Sequence, residues 1–93
     1  MGCSLYILRS SKDYGYYVGI THDLQKRLAY HNSGRVKSTK SRRPFEIIHS
    51  ETFSNMPEAR QREKYLKSYR GSKEKLDIID AVLKKNMASS SNG

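Results

Sequence analysis

Leu5-Tyr6-Ile7-Leu8 and Tyr16-Tyr17-Val18-Gly19-Ile20, joined by Ser10-Ser11-Lys12-Asp13-Tyr14-Gly15, decide how the first part of this chain folds. Both flanks are rich in aliphatic, aromatic and β-branched residues, and the joining stretch consists of turn formers. The segment therefore reads as an antiparallel hairpin. With the turn centred on Ser11-Lys12, Tyr6 stands opposite Tyr17 and both hydroxyls leave the sheet on one face. A shift of one residue in register would separate them.

A helix follows the hairpin. Thr21 or Asp23 caps it, Leu24 and Leu28 supply its buried stripe, and Asn32-Ser33-Gly34 ends it. Arg27 and His31 are four residues apart and so share one face of that helix. Residues 35–43 form a loop, basic throughout and without an acidic residue. Phe45-Glu46-Ile47-Ile48-His49 reads as a third strand begun after Pro44. Asn55, with Glu58 three residues on, is a capping pair for a second helix that runs to about Tyr69 and is terminated by Gly71. Ser72 caps a last helix with Leu76, Ile79 and Leu83 on its inner face. The order β-β-α-β-α-α predicts an α/β (α+β) domain over residues 1–86, a small three-stranded antiparallel sheet flanked by helices. Residues 87–93 are low in complexity and are expected to be a disordered tail.

Bulk properties limit the partners. Ninety-three residues suffice for one domain with a modest core, and a hydrophobic fraction of 35% suits a thin two-layer fold. Eighteen Lys and Arg against nine Asp and Glu give a net charge of +9, which favours a polyanion, nucleic acid first. A membrane fits poorly, because no long apolar run or basic amphipathic anchor stands out. Cys3 is the single cysteine and has no partner for a disulfide or metal cluster. With no secretory leader recognisable, a cytoplasmic location is expected.

Glu63 is the sharpest chemical signal. Met56, Ala59 and Leu66 recur at helical spacing, and Glu63 falls on the same inward stripe. A carboxylate there is costly unless a cation or metal compensates it. No histidine, cysteine or carboxylate cluster has zinc-like spacing. A lone carboxylate suits Mg²⁺, which keeps most of its waters and binds through one or two carboxylates plus substrate phosphate. Tyr6 and Tyr17 have hydroxyls that orient water or relay a proton, although tyrosine is a poor base with a reference pKa of about 10. Arg27 suits bidentate contact with a phosphate, and His31 suits donation to a phosphate oxygen. Each has an ordinary alternative: strand aromatics, a solvated helix arginine, and a histidine at a helix C-terminus. His22 and His49 read as structural. Arg35, Lys37, Lys40, Arg42 and Arg43 form a flexible basic run suited to a nucleic-acid backbone, with Arg60, Arg62, Lys64, Lys67 and Arg70 widening the patch.

Taken in order, Tyr6, Tyr17-Val18-Gly19, Arg27, His31 and Glu63 resemble the GIY-YIG nuclease domain. The likeness runs from about residue 4 to residue 80 and is greatest to small stand-alone bacterial members. Ser4-Leu5-Tyr6 stands for the Gly-Ile-Tyr motif and Tyr17-Val18-Gly19 for the Tyr-Ile-Gly motif. Gly19 through Leu28, His31-Asn32, Arg42-Arg43-Pro44 and the Glu58–Glu63 segment also match. The resemblance implies a three-stranded antiparallel sheet flanked by helices and metal-dependent hydrolysis of DNA phosphodiesters, in a repair or recombination setting. Glu63 would bind a single Mg²⁺ or Mn²⁺, and Arg27 would stabilise the scissile phosphate. Tyr6 and Tyr17 would position or deprotonate the attacking water, assisted by His31. Departures are Ser4-Leu5 in place of Gly-Ile and a late family asparagine for which Asn86 is the candidate. A fused DNA-binding domain of larger relatives is also missing from this sequence. Two other readings stand beside the nuclease: a non-catalytic nucleic-acid-binding module, and a subunit that docks on a larger repair protein. Oligomeric state is not legible.

The acid-free loop at 35–43 predicts weak duplex-DNA binding with little dependence on base sequence. A titration series should give log K falling against log salt with a slope of about −0.9 per phosphate contacted. Alanine at Lys40, Arg42 and Arg43 should shallow that slope. A flat salt dependence would contradict backbone binding.

Overall fold

In a computed structural model that describes the backbone of residues 2–91 and side chains as far as Lys85, β1 (Cys3–Ser10) lies between β2 (Tyr16–Thr21) and β3 (Phe45–Phe53). It pairs antiparallel with both. A central strand covered on both faces must be apolar at successive positions, and Leu5, Tyr6, Ile7 and Leu8 are all buried. Leu5 and Ile7 pack with Val18, Leu66 and Ile79 beneath α2 (Met56–Lys67) and α3 (Tyr69–Ser91). Tyr6 and Leu8 pack with Phe45 on the other face, where Leu24 and Leu28 of α1 (Leu24–Asn32) close over them. Each fully buried aliphatic side chain contributes about 1.5–3 kcal/mol. The architecture has the expected order and sheet, but helices cover both faces, so there are three layers rather than the expected two. The unbroken apolar run of β1 is the reason.

Several expectations of detail are corrected. Tyr6 pairs with Gly19, and Tyr17 with Leu8, so the tyrosines are diagonal rather than opposite. The turn is longer than one centred on Ser11-Lys12. Ser10 N–H donates to the Gly15 carbonyl at 2.9 Å, Tyr14 takes a positive φ of 60°, and the Ser10 hydroxyl oxygen accepts from the Lys12 and Asp13 amides. A shift of two positions preserves the face, so the Tyr6 and Tyr17 rings still stack at 6.4 Å. The third strand extends past His49 to Phe53. A bulge opposite Ile7/Leu8 leaves Ile48 extra between the pairs Leu8–Ile47 and Ile7–His49, with Ile47 and Ile48 in opposite clusters.

Helix boundaries differ as well. Asp23 and Asn55 cap α1 and α2 as expected, accepting from the amides of Lys26 at 3.1 Å and Glu58 at 3.0 Å. The second helix, however, ends at Ser68 rather than at Gly71. Ser68 adopts an extended conformation and its hydroxyl accepts from the Gly71 amide at 3.1 Å, taking the capping role expected of Ser72. Gly71 lies inside the first turn of α3, where a Cβ would stand 1.8 Å from the Tyr65 carbonyl oxygen. On α3, Ile79 and Leu83 face the core as expected, whereas Leu76 is 58% exposed. The helical backbone continues to Ser91, within the segment expected to be a tail. The side chain of Asn86 lies outside the described residues.

Because its close neighbour is backbone, Gly71→Ala forces α2 and α3 apart. Overpacking of this kind costs about 1–3 kcal/mol. A thermal melt should fall by at least about 4 °C for a domain of this size. An unchanged melting temperature would show that the helix junction is not tightly packed.

Candidate active site

Tyr6 is nearly fully buried in the central strand, and its hydroxyl is the point at which separate elements converge. Gly19 on β2 makes that possible, since a Cβ there would lie 2.5 Å from Tyr6 Oη. The four-residue spacing on α1 then brings two partners to the same oxygen. Arg27 Nε donates to Tyr6 Oη at 3.4 Å, and His31 Nε2 lies 3.2 Å from it. Tyr17 stacks on Tyr6 and meets the edge of the His31 ring at 4.9 Å between centroids. The Arg27 guanidinium also lies over the Tyr30 ring at 5.2 Å. Four of the residues singled out by sequence thus meet at or beside the Tyr6 ring.

Glu63 approaches from α2. Its side chain is 18% exposed and its Oε2 accepts from Lys67 Nζ at 3.3 Å. The Lys67 ammonium sits over the Tyr17 ring, and the Glu63 charge reaches Tyr6. Glu63 is thus largely buried, as its place on the helix predicts, and its counter-ion among the described residues is Lys67. Burial pushes the Tyr6 hydroxyl up from its ordinary value; the hydrogen bond and charge of Arg27 offset this in part, while Tyr17 and Glu63 add to it. Burial, reinforced by the Arg27 charge, pulls His31 below its ordinary value. The site therefore combines a reluctant phenol with a histidine that is neutral at pH 7.

Thr39 is the functional neighbour that sequence reasoning missed. It is fully buried, and its Oγ1 lies 3.0 Å from His31 Nδ1. The available signal was a single threonine among exposed cations, eight positions after the histidine.

The basic loop divides between two clefts. Lys37, Lys40 and Arg43 line one with Lys12, a cation of the hairpin turn that sequence reasoning left aside. Arg35 lines the other beside Lys26, Arg27 and Tyr30, next to the tyrosine cluster. Arg42 differs, because its Nε donates to Asp13 Oδ2 at 2.9 Å, its guanidinium covers Phe45, and its carbonyl accepts from the Ser10 hydroxyl. It ties the loop to the hairpin. Among the wider set, Arg62 bridges Glu51 and Glu74. His49 donates to Glu51, and His22 bonds the Gly2 carbonyl, so both keep structural roles.

Comparison with known proteins agrees with this geometry. Residues 2–77 match the GIY-YIG catalytic domain. The chain belongs to the GIY-YIG family. UPF0213 protein YazA of Bacillus subtilis is 47% identical over 68 residues, covering 72% of this chain and 69% of that protein. A UPF0213 protein of Bacillus pumilus is 41% identical over 81 residues, covering 86% and 82%. The solution NMR structure of UPF0213 protein BH0048 from Bacillus halodurans superposes with a TM-score of 0.51 at 31% identity, covering 84% of this chain and 85% of that one. GIY-YIG domains are nuclease-type domains that act on DNA and generally depend on a divalent metal ion. In this GIY-YIG chain, Leu5 in place of the motif isoleucine is fully buried in the core, so the exchange preserves the packing role. Among the described residues no helix is long and apolar enough to cross a membrane.

The His31 shift has a consequence for stability. A histidine held below its unfolded value binds its proton less readily when folded, so its contribution is full above the unfolded pKa of about 6.5 and is lost as pH falls through the folded value. Melting temperature should fall as pH is lowered below about 6.5, and His31→Gln should flatten that part of the profile. A parallel pH profile in the variant would contradict a depressed, buried histidine.

Proposed function

We propose that this protein is a GIY-YIG endonuclease that hydrolyses DNA phosphodiester bonds with a divalent cation, Mg²⁺ or Mn²⁺, in DNA repair or recombination. The observation that carries the proposal is the buried Tyr6 hydroxyl, held between Arg27 and His31 Nε2 beside a cleft lined by Lys26, Arg27 and Arg35. Water bound beside Tyr6 would pass a proton to the phenolic oxygen as the phenolic proton moves to His31 Nε2. The water oxygen would form its bond to phosphorus while the bond to the leaving oxygen breaks, and that oxygen would take a proton from solvent. A raised phenol pKa argues for concerted transfer, since a free phenolate is costly in this site. Arg27, half-buried and lining the adjoining cleft, would hold the phosphate as its charge develops. Tyr17 would restrict the water to one position. Lys37, Lys40, Arg43 and Arg35 would track the strand on either side, with Lys12 added and Arg42 acting through the loop.

The donor set fits a divalent ion of the magnesium kind. Among the described residues no three metal-binding side chains cluster, and Glu63 is a lone, largely buried carboxylate paired only to a half-exposed lysine. That suits an ion which retains several waters and takes its remaining ligands from substrate phosphate. Glu63 would hold it, and when bound the ion neutralises charge on the phosphoryl oxygens.

One observation favours the non-catalytic nucleic-acid-binding reading: Lys67 already satisfies Glu63. An i,i+4 pair with a half-exposed partner is worth only about 0.3–0.5 kcal/mol, which a divalent ion readily overcomes. The buried, free Cys3 suits a reducing, cytoplasmic setting.

Glu63→Gln decides between catalysis and binding. Mg²⁺-dependent cleavage of branched, nicked and single-stranded DNA should be lost by about 100-fold or more, with metal-free DNA binding intact or tighter. The melting temperature should scarcely move, because only the weak Lys67 pair is removed. Retained cleavage in the folded variant, or no cleavage by the parent on any substrate, would overturn the nuclease assignment.

A further inference from the structure

Thr39 is fully buried in a loop whose neighbouring cations, Lys37 and Lys40, are exposed. A buried hydroxyl needs hydrogen-bond partners, and the direction of each bond fixes the next. Thr39 Oγ1 lies 3.4 Å from the Val36 carbonyl, to which it alone of the two can donate. Its other partner is His31 Nδ1 at 3.0 Å. The Val36 carbonyl already accepts two amides and receives this hydroxyl only weakly, so it is the Tyr6 proton that selects the direction in which the threonine oxygen accepts and the imidazole proton sits on Nδ1. Nε2 then presents a lone pair to Tyr6 Oη, whose own proton has no competing acceptor among the described residues, since Arg27 Nε only donates. The Nε2–H tautomer would set a donor against the phenol proton.

The surroundings of His31 make this contact decisive. Tyr6 of β1, Tyr17 of β2, Phe45 of β3, Arg27 of its own helix and Thr39 of the loop face the ring. No carboxylate is hydrogen-bonded to it among the described residues. The tautomer therefore depends on a neutral acceptor, and the turn holds that acceptor firmly. The amides of Thr39 and Lys40 both donate to the Val36 carbonyl, at 3.1 and 2.9 Å, and the Arg42 amide donates to the Thr39 carbonyl at 3.0 Å.

We propose that Thr39 is a positioning residue for cleavage: by accepting from His31 Nδ1–H it fixes the tautomer whose Nε2 takes the Tyr6 proton, which makes the basic loop part of the proton relay as well as of the DNA surface. The catalytic half of this inference rests on the nuclease reading; the tautomer half does not. The loop that meets phosphate at Lys37 and Lys40 thereby also sets the histidine.

Nitrogen-15 spectra of the His31 ring, recorded on the free protein at pH 7 without metal or DNA, separate the two. The parent should show the Nδ1–H tautomer. Thr39→Val, which keeps the shape and removes the acceptor, should lose that preference, and Thr39→Ser should restore it. Thr39→Ala is the second variant should valine perturb folding. In Mg²⁺-dependent cleavage, Thr39→Val should lower kcat by about 10-fold or more with KM and the salt slope unchanged, and Thr39→Ser should recover most of the loss. An Nε2–H tautomer in the parent, or the same tautomer and kcat in Thr39→Val as in the parent, would overturn the proposal. A tautomer that responds to Thr39 in a protein without cleavage would support the positioning contact and overturn the nuclease reading alone.

Discussion

A phenol buried in a central strand must have its hydroxyl paired, and the pairing of Tyr6 is the constraint on which the rest of this structure depends. Leaving such a group without a partner costs about 1–3 kcal/mol. The partners come from far apart in sequence, so satisfying Tyr6 fixes how α1 and the loop at 35–43 lie on the sheet. Gly19 supplies the room, the phase of α1 supplies Arg27 and His31, and Thr39 closes the far side of the histidine. Asn32 braces the same arrangement from beside His31, donating to the Phe45 carbonyl at 3.0 Å and accepting from the Phe45 amide at 2.7 Å. The functional cluster and the α1 side of the core are in this sense one object.

Glu63 reaches the cluster by a different route. Its neighbour Arg62 is bonded to Glu51 of β3 through Nε at 2.9 Å and to Glu74 of α3 through Nη2. Burial alone would raise Glu51, but the hydrogen bonds and charges of Arg62 and His49 prevail and hold it below the ordinary carboxylate range. One arginine thus clamps α2 to the sheet and to α3, and the next residue along the helix is the carboxylate whose charge reaches Tyr6.

Much of this was legible in the sequence, and the reasons are local. Caps at Asp23 and Asn55, the shared face of Arg27 and His31, and the inward position of Glu63 follow from helical spacing and side-chain hydrogen bonding within four residues. The ordered motif then named the family. What could not be read depended on nonlocal geometry. The register of Tyr6 and Tyr17 turned on the positive φ of Tyr14, and the end of α2 turned on Tyr65 pressing against Gly71. Thr39 looked like one polar loop residue among many, because only the folded loop reveals that it points inward. Arg42 was indistinguishable from its exposed neighbours until Asp13 met it across 29 positions.

The central claim is that the Tyr6 hydroxyl is the chemical junction of the site rather than a buried aromatic with a convenient partner. Single-turnover cleavage of DNA with Mg²⁺ by Tyr6→Phe, measured beside the melting temperature, tests it most directly. The ring and its packing are kept, so the variant should remain folded while the rate falls by about 10²–10⁴-fold. A folded Tyr6→Phe protein that cleaves at the parental rate would contradict the account.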